Sequence, residues 1–366
     1  MKNLFEPAIV GNLPLKNRLI RSATFEAAFD DHEAFASNLW PSYEALARGG
    51  VGAIITGMVG VDENSRVLPS MVKAYGDSFI PEMNQVVKSA HELGTKIIVQ
   101  ISHCGQKAMQ IDGGGPALAP SVVESSSGRP VKAMSHDEIR SVISSFGRAA
   151  ARCREAGADA VQIHGAHGYL LSEFLSPHFN HRPDEYGGSI VGRSKIVMEV
   201  YDAVRAAVGS DYPVWIKLNS RDLTEKSISR EEYLWLSAEL DRRGIDAIEV
   251  SGGVAIDAKS SSMQIVKNEQ EEGCFVREAL ELAEKTAASV ISVCGFRTPA
   301  IMEKWLNEGK LAALSLCRPL ISEPGLISRW QHGDRSKARC RSCNKCFSPT
   351  GGIICRAFPD DLPAAK

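Results

Sequence analysis

Short apolar runs rich in valine and isoleucine alternate along this chain with longer stretches of helical period. Eight runs read as strands: Leu19–Ala23, Gly52–Gly57, Lys96–Ile101, Ala158–His164, Pro213–Leu218, Ala247–Ser251, Val290–Cys294 and Ala312–Leu316. They are nearly continuous in apolar character rather than alternating, as strands covered on both faces are. The intervening amphipathic stretches predict helices over Asn38–Arg48, Phe79–Leu93, Ser135–Ala156, Ser194–Val208, Arg230–Arg243, Phe275–Thr286 and Pro299–Glu308. Ser135-x-x-Glu138 and Ser229-x-x-Glu232 carry capping-box spacing at two helix starts.

Eight strand–helix repeats in 366 residues predict an α/β fold, a (β/α)8 TIM barrel. A doubly wound open sheet is the competing architecture. It fits less well, because no Gly-x-Gly-x-x-Gly turn follows an early strand. Ala8–Lys16, with Gly11-Asn12 at its turn, predicts a small hairpin plugging the barrel bottom. Two excursions, Ser102–Met134 and Gly252–Gly273, follow strands and so belong to the face where barrel sites are built. The one low-complexity tract is the polar loop Glu124–Gly128. The division expected is a barrel over 1–332 and a cysteine-rich tail over 333–366.

Composition removes several classes. A formal charge of −2 without long single-sign runs argues against an extended nucleic-acid-binding surface. The longest mainly apolar stretch, Val51–Val61, is too short and too glycine-rich for a membrane span. Met1–Pro7 lacks the apolar core of a secretory signal, so a cytoplasmic location is the expectation. Of nine cysteines, Cys104, Cys153, Cys274, Cys294 and Cys317 are scattered and read as buried free thiols. Cys340, Cys343, Cys346 and Cys355 crowd together, and a reducing compartment favours metal or redox duty there over disulfides.

The chemistry gathers at strand C-termini. Val161-Gln-Ile-His164 runs into His167 and Tyr169, a His-x-x-His-x-Tyr array. Two imidazoles and a phenol there can hold a carbonyl oxygen and deliver a proton beside it, which suits reduction of an electron-poor double bond. Structural histidines or a metal pair are the blander readings. Lys217 stands on an otherwise apolar strand, where an ammonium needs a partner, and Gly295 and Arg318 offer close backbone approach and a phosphate clamp.

From Leu4 to about Pro324 the chain resembles the Old Yellow Enzyme family of FMN-dependent oxidoreductases. The resemblance is carried by Lys16-Asn17-Arg18, Gln100-x-x-His103, His164-x-x-His167-Gly168-Tyr169-Leu170-Leu171 and Phe174-Leu-Ser-Pro177. Asn180-x-Arg182-x-Asp184-x-Tyr186-Gly187-Gly188 and Arg318-Pro319 complete it. It implies FMN at the barrel mouth, contacted by Ser22, Ala23, Thr24 and Met58, with Gln100 on the pyrimidine edge and Lys217 near N1 and O2. Gly295 and Arg318 would hold the phosphate. NAD(P)H would be the electron donor, His164 and His167 would anchor a substrate carbonyl, and Tyr169 would be the proton donor. The chain departs from the family at Lys217, usually Arg, at Phe25 and Gln106, and at Cys317, usually Gly.

The tail, Cys340-x-x-Cys343-x-x-Cys346 with Cys355 beyond, leans by spacing toward iron–sulfur rather than tetrathiolate zinc. A metal-free thiol tail is the third reading. It resembles the [4Fe–4S] segment of 2,4-dienoyl-CoA reductase and trimethylamine dehydrogenase, including Asn344 and Gly351-Gly352, but with a shorter gap before the last cysteine.

Three functions follow as expectations. The first is NAD(P)H-driven reduction of an α,β-unsaturated carbonyl compound. The second is a flavin dehydrogenase of an amine or saturated carbonyl compound, passing electrons through the tail to a partner protein. The third is a non-catalytic flavin-binding subunit. Substrate identity, NADH against NADPH, and oligomeric state are not set by these residues.

Overall fold

The computed structural model describes residues 1–26, 35–68, 71–76, 78–109, 115–123, 128–346 and 353–358. Residues 124–127 of the polar loop and the Gly351-Gly352 pair lie outside them. All eight predicted strands form: β1 (Leu19–Arg21), β2 (Ala53–Ile55), β3 (Lys96–Ser102), β4 (Ala160–Gly165), β5 (Val214–Asn219), β6 (Ala247–Ser251), β7 (Ser289–Val293) and β8 (Ala313–Leu316). Each pairs in parallel with the next, and β8 pairs with β1, so the sheet closes on itself. This is a (β/α)8 barrel, and the open-sheet alternative is set aside by the β8–β1 pairing.

The plug is present. Ala8–Val10 and Leu13–Leu15 pair antiparallel, and Val10, Leu13 and Leu15 pack with Ile20, Ile55, Ile98 and Trp215 inside the barrel. Gly11 takes φ +52° and its carbonyl accepts the Trp215 indole N–H at 3.2 Å. A Cβ at position 11 would stand 2.5 Å from that nitrogen, so only glycine fits the close approach. Truncating Leu13 to alanine would remove buried methyls at a cost of about 2–5 kcal/mol.

The helices cover the barrel as their periodicity predicts. Both capping boxes form, with Ser135 and Ser229 accepting from Glu138 and Glu232 N–H groups while those carboxylates reach back. One helix starts at Ile190 rather than Ser194, because Ser189 occupies its N-cap. Three short helices, Leu170–Leu175, Arg318–Ser322 and Leu326–Gln331, escape periodicity, since five or six residues complete barely more than one turn. Among the described residues no helix is long and apolar enough to cross a membrane.

Candidate active site

The parallel register aligns polar side chains at the same height of neighbouring strands. Gln100 on β3 lies opposite Gln162 on β4, and Lys217 on β5 faces both His164 on β4 and Glu249 on β6. A buried network joins them. Gln100 Nε2 donates to Gln162 Oε1 at 2.7 Å, and Gln162 Nε2 donates to Glu249 Oε2 at 2.9 Å. Glu249 also accepts from Ser22 Oγ at 2.7 Å and Ser315 Oγ at 2.6 Å, and lies 3.1 Å from Lys217 Nζ. Burial alone would push the Glu249 carboxyl up. The ammonium and the neutral donors outweigh it and hold it below the ordinary carboxylate value.

The two histidines and the tyrosine come together as their spacing predicts. The His164 ring centroid lies 5.4 Å from that of His167 and 4.9 Å from that of Tyr169. His167 leaves the strand with φ +64°, and its Nε2 pairs with Ser251 Oγ at 2.7 Å. Burial, reinforced by the Lys217 and Lys107 ammoniums, holds both imidazoles well below the usual histidine value, so both are neutral. His164 Nδ1 is buried without a hydrogen-bond partner among the described residues. Burial raises the Tyr169 phenol, which stays protonated at neutral pH.

Lys107 stands over the Tyr169 ring, 5.0 Å from its centroid, and donates to the carbonyls of His167 and Val254 at 2.7 Å each. It clamps the His-x-x-His turn to the segment after β6. Burial lowers the Lys107 ammonium and raises the carboxyl of nearby Glu173, whose Oε1 accepts the Gln106 N–H at 3.0 Å.

One cavity of about 380 Å3 opens at the C-terminal mouth of the barrel. Ser22, Ala23, Thr24, Met58, Gln100, Lys217, Gly295 and Arg318 all border it, together with His164, His167 and Tyr169. The volume falls in the range of small-molecule sites, about 300–1,000 Å3. The residues fit a flavin mononucleotide. At one end Gly295 has φ +82°, and a Cβ there would meet Val266 at 2.7 Å, so bare backbone faces the cavity. Arg318 beside it spends one bond on Asn344 Oδ1 at 2.6 Å and one on Gln264 O at 2.8 Å, which leaves further guanidinium donors. Arg297, also buried and on the cavity wall, has an Nη2 with no partner among the described residues. Unmet cationic donors at one end and an unmet imidazole at the other match an anionic tail and a polar head.

The tail folds onto the same rim. Cys340 and Ser342 line the cavity, Ser342 Oγ accepts the Val266 N–H at 3.0 Å, and the Arg297 guanidinium donates to Cys340 O at 3.3 Å. Burial pushes the Cys346 thiol up to about 12 and raises that of Cys340. Cys343 is exposed and Cys355 half-buried. Among the described residues no three of the four sulfurs lie mutually within 4.8 Å. Tetrahedral zinc, with Zn–S about 2.3 Å, would draw them closer than that, whereas a body of several irons accommodates wider spacing.

Two expectations need correction. Cys274, Cys294 and Cys317 are not buried structural thiols: all three are half-exposed, and Cys294 and Cys317 border the cavity. Cys294 and Cys317 sit just past strand ends, where an apolar run hides which residue turns toward the mouth, and Cys274 lies just before the helix Val276–Ala283. Gln162 and Lys107 stand among the polar residues that the sequence places at strand ends, without a specific role, whereas Glu249 and Arg297 were not anticipated as site residues. The available signal was charge or amide inside apolar strand sequence, as in Ala247-Ile-Glu249-Val-Ser251.

Residues 3–337 match the family described as NADH:flavin oxidoreductase / NADH oxidase. The chain is 32% identical over 347 residues to a metal reductase of Desulforamulus reducens, covering 94% of this chain and 51% of that protein. It is 30% identical over 329 residues to the NADPH dehydrogenase of Bacillus subtilis, covering 88% and 92%. A solved structure of 2-naphthoyl-CoA reductase in complex with 2-naphthoyl-CoA superposes with a TM-score of 0.85 at 25% identity, covering 94% of this chain and 54% of that one. The chain therefore spans about half the length of the metal reductase and of the naphthoyl-CoA reductase. With the match running through nearly the whole barrel, the resemblance to Old Yellow Enzyme becomes membership: the chain belongs to the NADH:flavin oxidoreductase / NADH oxidase family of flavin-dependent oxidoreductases.

Proposed function

We propose that this chain reduces the C=C bond of an α,β-unsaturated carbonyl compound with electrons from NAD(P)H. The observation that carries the reading is the wall formed by Tyr169 and two neutral imidazoles in the barrel-mouth cavity. FMN, held by Ser22, Ala23, Thr24, Met58, Gln100, Lys217, Gly295 and Arg318, would supply hydride chemistry at the β-carbon. His164 and His167 then donate hydrogen bonds to the carbonyl oxygen as enolate charge develops. Being neutral, each imidazole has one N–H for donation. Tyr169 gives its proton to the α-carbon and is restored from solvent. Lys107 keeps the histidine turn in place through the His167 carbonyl.

The test is a two-stage anaerobic experiment on FMN-loaded protein. NADPH or NADH should bleach the flavin, and a cyclic enone added next should restore the oxidised spectrum with loss of one equivalent of enone. A flavin that NAD(P)H bleaches but no conjugated carbonyl re-oxidises would overturn the reading.

One observation favours an electron outlet as a second element of the function. Cys340 borders the same cavity as the flavin-binding residues. We therefore read Cys340, Cys343, Cys346 and Cys355 as ligands of a [4Fe–4S] cluster serving an electron-transfer partner, as a dehydrogenase acting in the opposite direction would need. Protein purified without oxygen should contain iron and sulfide, and Cys346→Ser should lose both. Zinc in place of iron, or metal-free protein, would overturn the assignment.

A further inference from the structure

We propose that Cys274 and Cys294 form a dithiol at the cavity rim that reduces small organic disulfides by thiol–disulfide exchange, closing to an intramolecular disulfide. The pair belongs neither to the tail nor to the groups assigned to carbonyl chemistry, although Cys294 borders the same cavity. Cys294 directly follows β7, and Cys274 lies just before the helix Val276–Ala283. The Gly273 and Cys274 N–H groups both donate to the Cys294 carbonyl, at 3.1 and 3.2 Å. A direct backbone hydrogen bond holds two residues in the regime that disulfides require, about 4.4–6.8 Å between Cα atoms. Cys274 Sγ lies 3.8 Å from Glu271 O and Cys294 Sγ 4.0 Å from Ser262 O, and the two thiols are close enough to shift each other's titration. Space is kept for them: a Cβ on Gly295 would lie 3.2 Å from Cys274 Sγ.

The backbone supports a role for the Cys294 side chain. Its φ of +98° is a conformation that glycine adopts freely and cysteine rarely does. A thiol retained at a position where glycine would relieve the backbone points to use of the sulfur. The cavity wall includes Cys294, while Cys274 is half-exposed.

The two thiols differ as attacker and resolver should. The neighbouring Cys294 thiol, helped by the Arg318 guanidinium, holds Cys274 below the ordinary thiol value despite partial burial. The Cys274 thiol beside it, together with burial, holds Cys294 well above that value. Cys274, the thiol held lower, is thus the nucleophile. Its thiolate attacks one sulfur of R–S–S–R, forms Cys274–S–S–R and expels RS−, which takes up the proton that Cys274 released. Cys294 then attacks the Cys274 sulfur, expels the second RS− and passes its proton to it. Two protein thiols and one small disulfide become one protein disulfide and two RSH. The protein pair loses two electrons, and the substrate gains them.

The experiment treats the reduced protein, freed of reductant under argon, with one equivalent of dithiobis(nitrobenzoate), followed by peptide mass spectrometry. The wild type should yield peptides containing Cys274 and Cys294 joined by a disulfide, with no nitrobenzoate left on Cys274. Cys294→Gly suits the left-handed backbone and so folds; it should retain a stable nitrobenzoate adduct on Cys274. A wild-type protein that keeps the adduct on Cys274, or in which Cys274 does not react, overturns the proposal.

Discussion

The Lys217 ammonium lies 3.1 Å from Glu249 Oε2, with side-chain exposures of 3% and 0%. The barrel therefore carries a buried ion pair beside its cavity, and the cation proposed to face the flavin is already matched by a carboxylate. Three neutral donors complete the Glu249 shell, so the charge is satisfied where it stands.

Removing one partner strands the other. Glu249→Gln leaves an uncompensated ammonium in the barrel and should cost about 3–5 kcal/mol of stability. Adding Lys217→Met to that variant should recover much of the loss, because no buried charge remains unpaired. Urea unfolding of the two single variants and the double variant decides it. Additive losses would show that the residues do not act as a pair.

Tyr169→Phe separates proton delivery from binding. The phenol is buried and protonated at neutral pH, and its substitution removes one oxygen from a wall otherwise set by ring packing. Loss of a positioned general acid should lower re-oxidation by an enone by about 10²–10⁴-fold. Reduction of the flavin by NAD(P)H should change little. Stopped-flow measurement of the two half-reactions checks this, and equal losses in both would assign Tyr169 to cofactor binding.

The strands and the plug were legible because burial on both faces writes a local signal, visible in runs such as Pro213–Leu218. The His164, His167 and Tyr169 array was legible for a similar reason, since five consecutive steps of chain fix its geometry. Glu249 was not. Its partners come from β1, β4, β5 and β8, and nothing local says which strands are neighbours or at what register. Cys294 and Cys317 were misread because an apolar run does not reveal which residue turns into the mouth. Arg297 was missed because its meaning depends on the tail, which reaches it through the Cys340 carbonyl and the Ala338 N–H.

Neutral imidazoles make stability depend on pH. His164 and His167 titrate well below the ordinary histidine value when folded, whereas in the unfolded chain they take up protons near pH 6.5. Below about pH 6.5 the unfolded state binds more protons, so stability is full above that pH and falls as pH drops. The slope approaches about 1.4 kcal/mol per pH unit for each histidine until the folded value is reached. Glu249, whose folded value lies below the ordinary carboxylate, contributes its own loss only at lower pH. Measured from pH 8 down to 5, melting temperatures should hold until about pH 6.5 and then fall steeply in the wild type, and stay flatter in His164→Asn/His167→Asn. Parallel curves would place the acid sensitivity elsewhere.

Arg318 is shared between the cavity and the tail. Asn344, with φ +59°, turns its side chain so that Oδ1 accepts from Arg318 Nη1 at 2.6 Å while Nδ2 donates to Met263 O at 2.8 Å. The guanidinium is thereby fixed before any phosphate arrives, and a preorganised clamp binds more tightly than one that must be ordered on binding. Asn344→Ala removes the bond without touching the cavity residues themselves. A lost hydrogen bond to a charged group, about 1.5–3 kcal/mol, would weaken FMN binding by about tenfold or more. Fluorescence-quenching titration of the apoprotein with FMN measures it, with riboflavin, which has no phosphate, as the control. The riboflavin affinity should be unaffected by the substitution. An unchanged FMN affinity, or an equal loss for both flavins, would show that Asn344 does not act through the phosphate clamp.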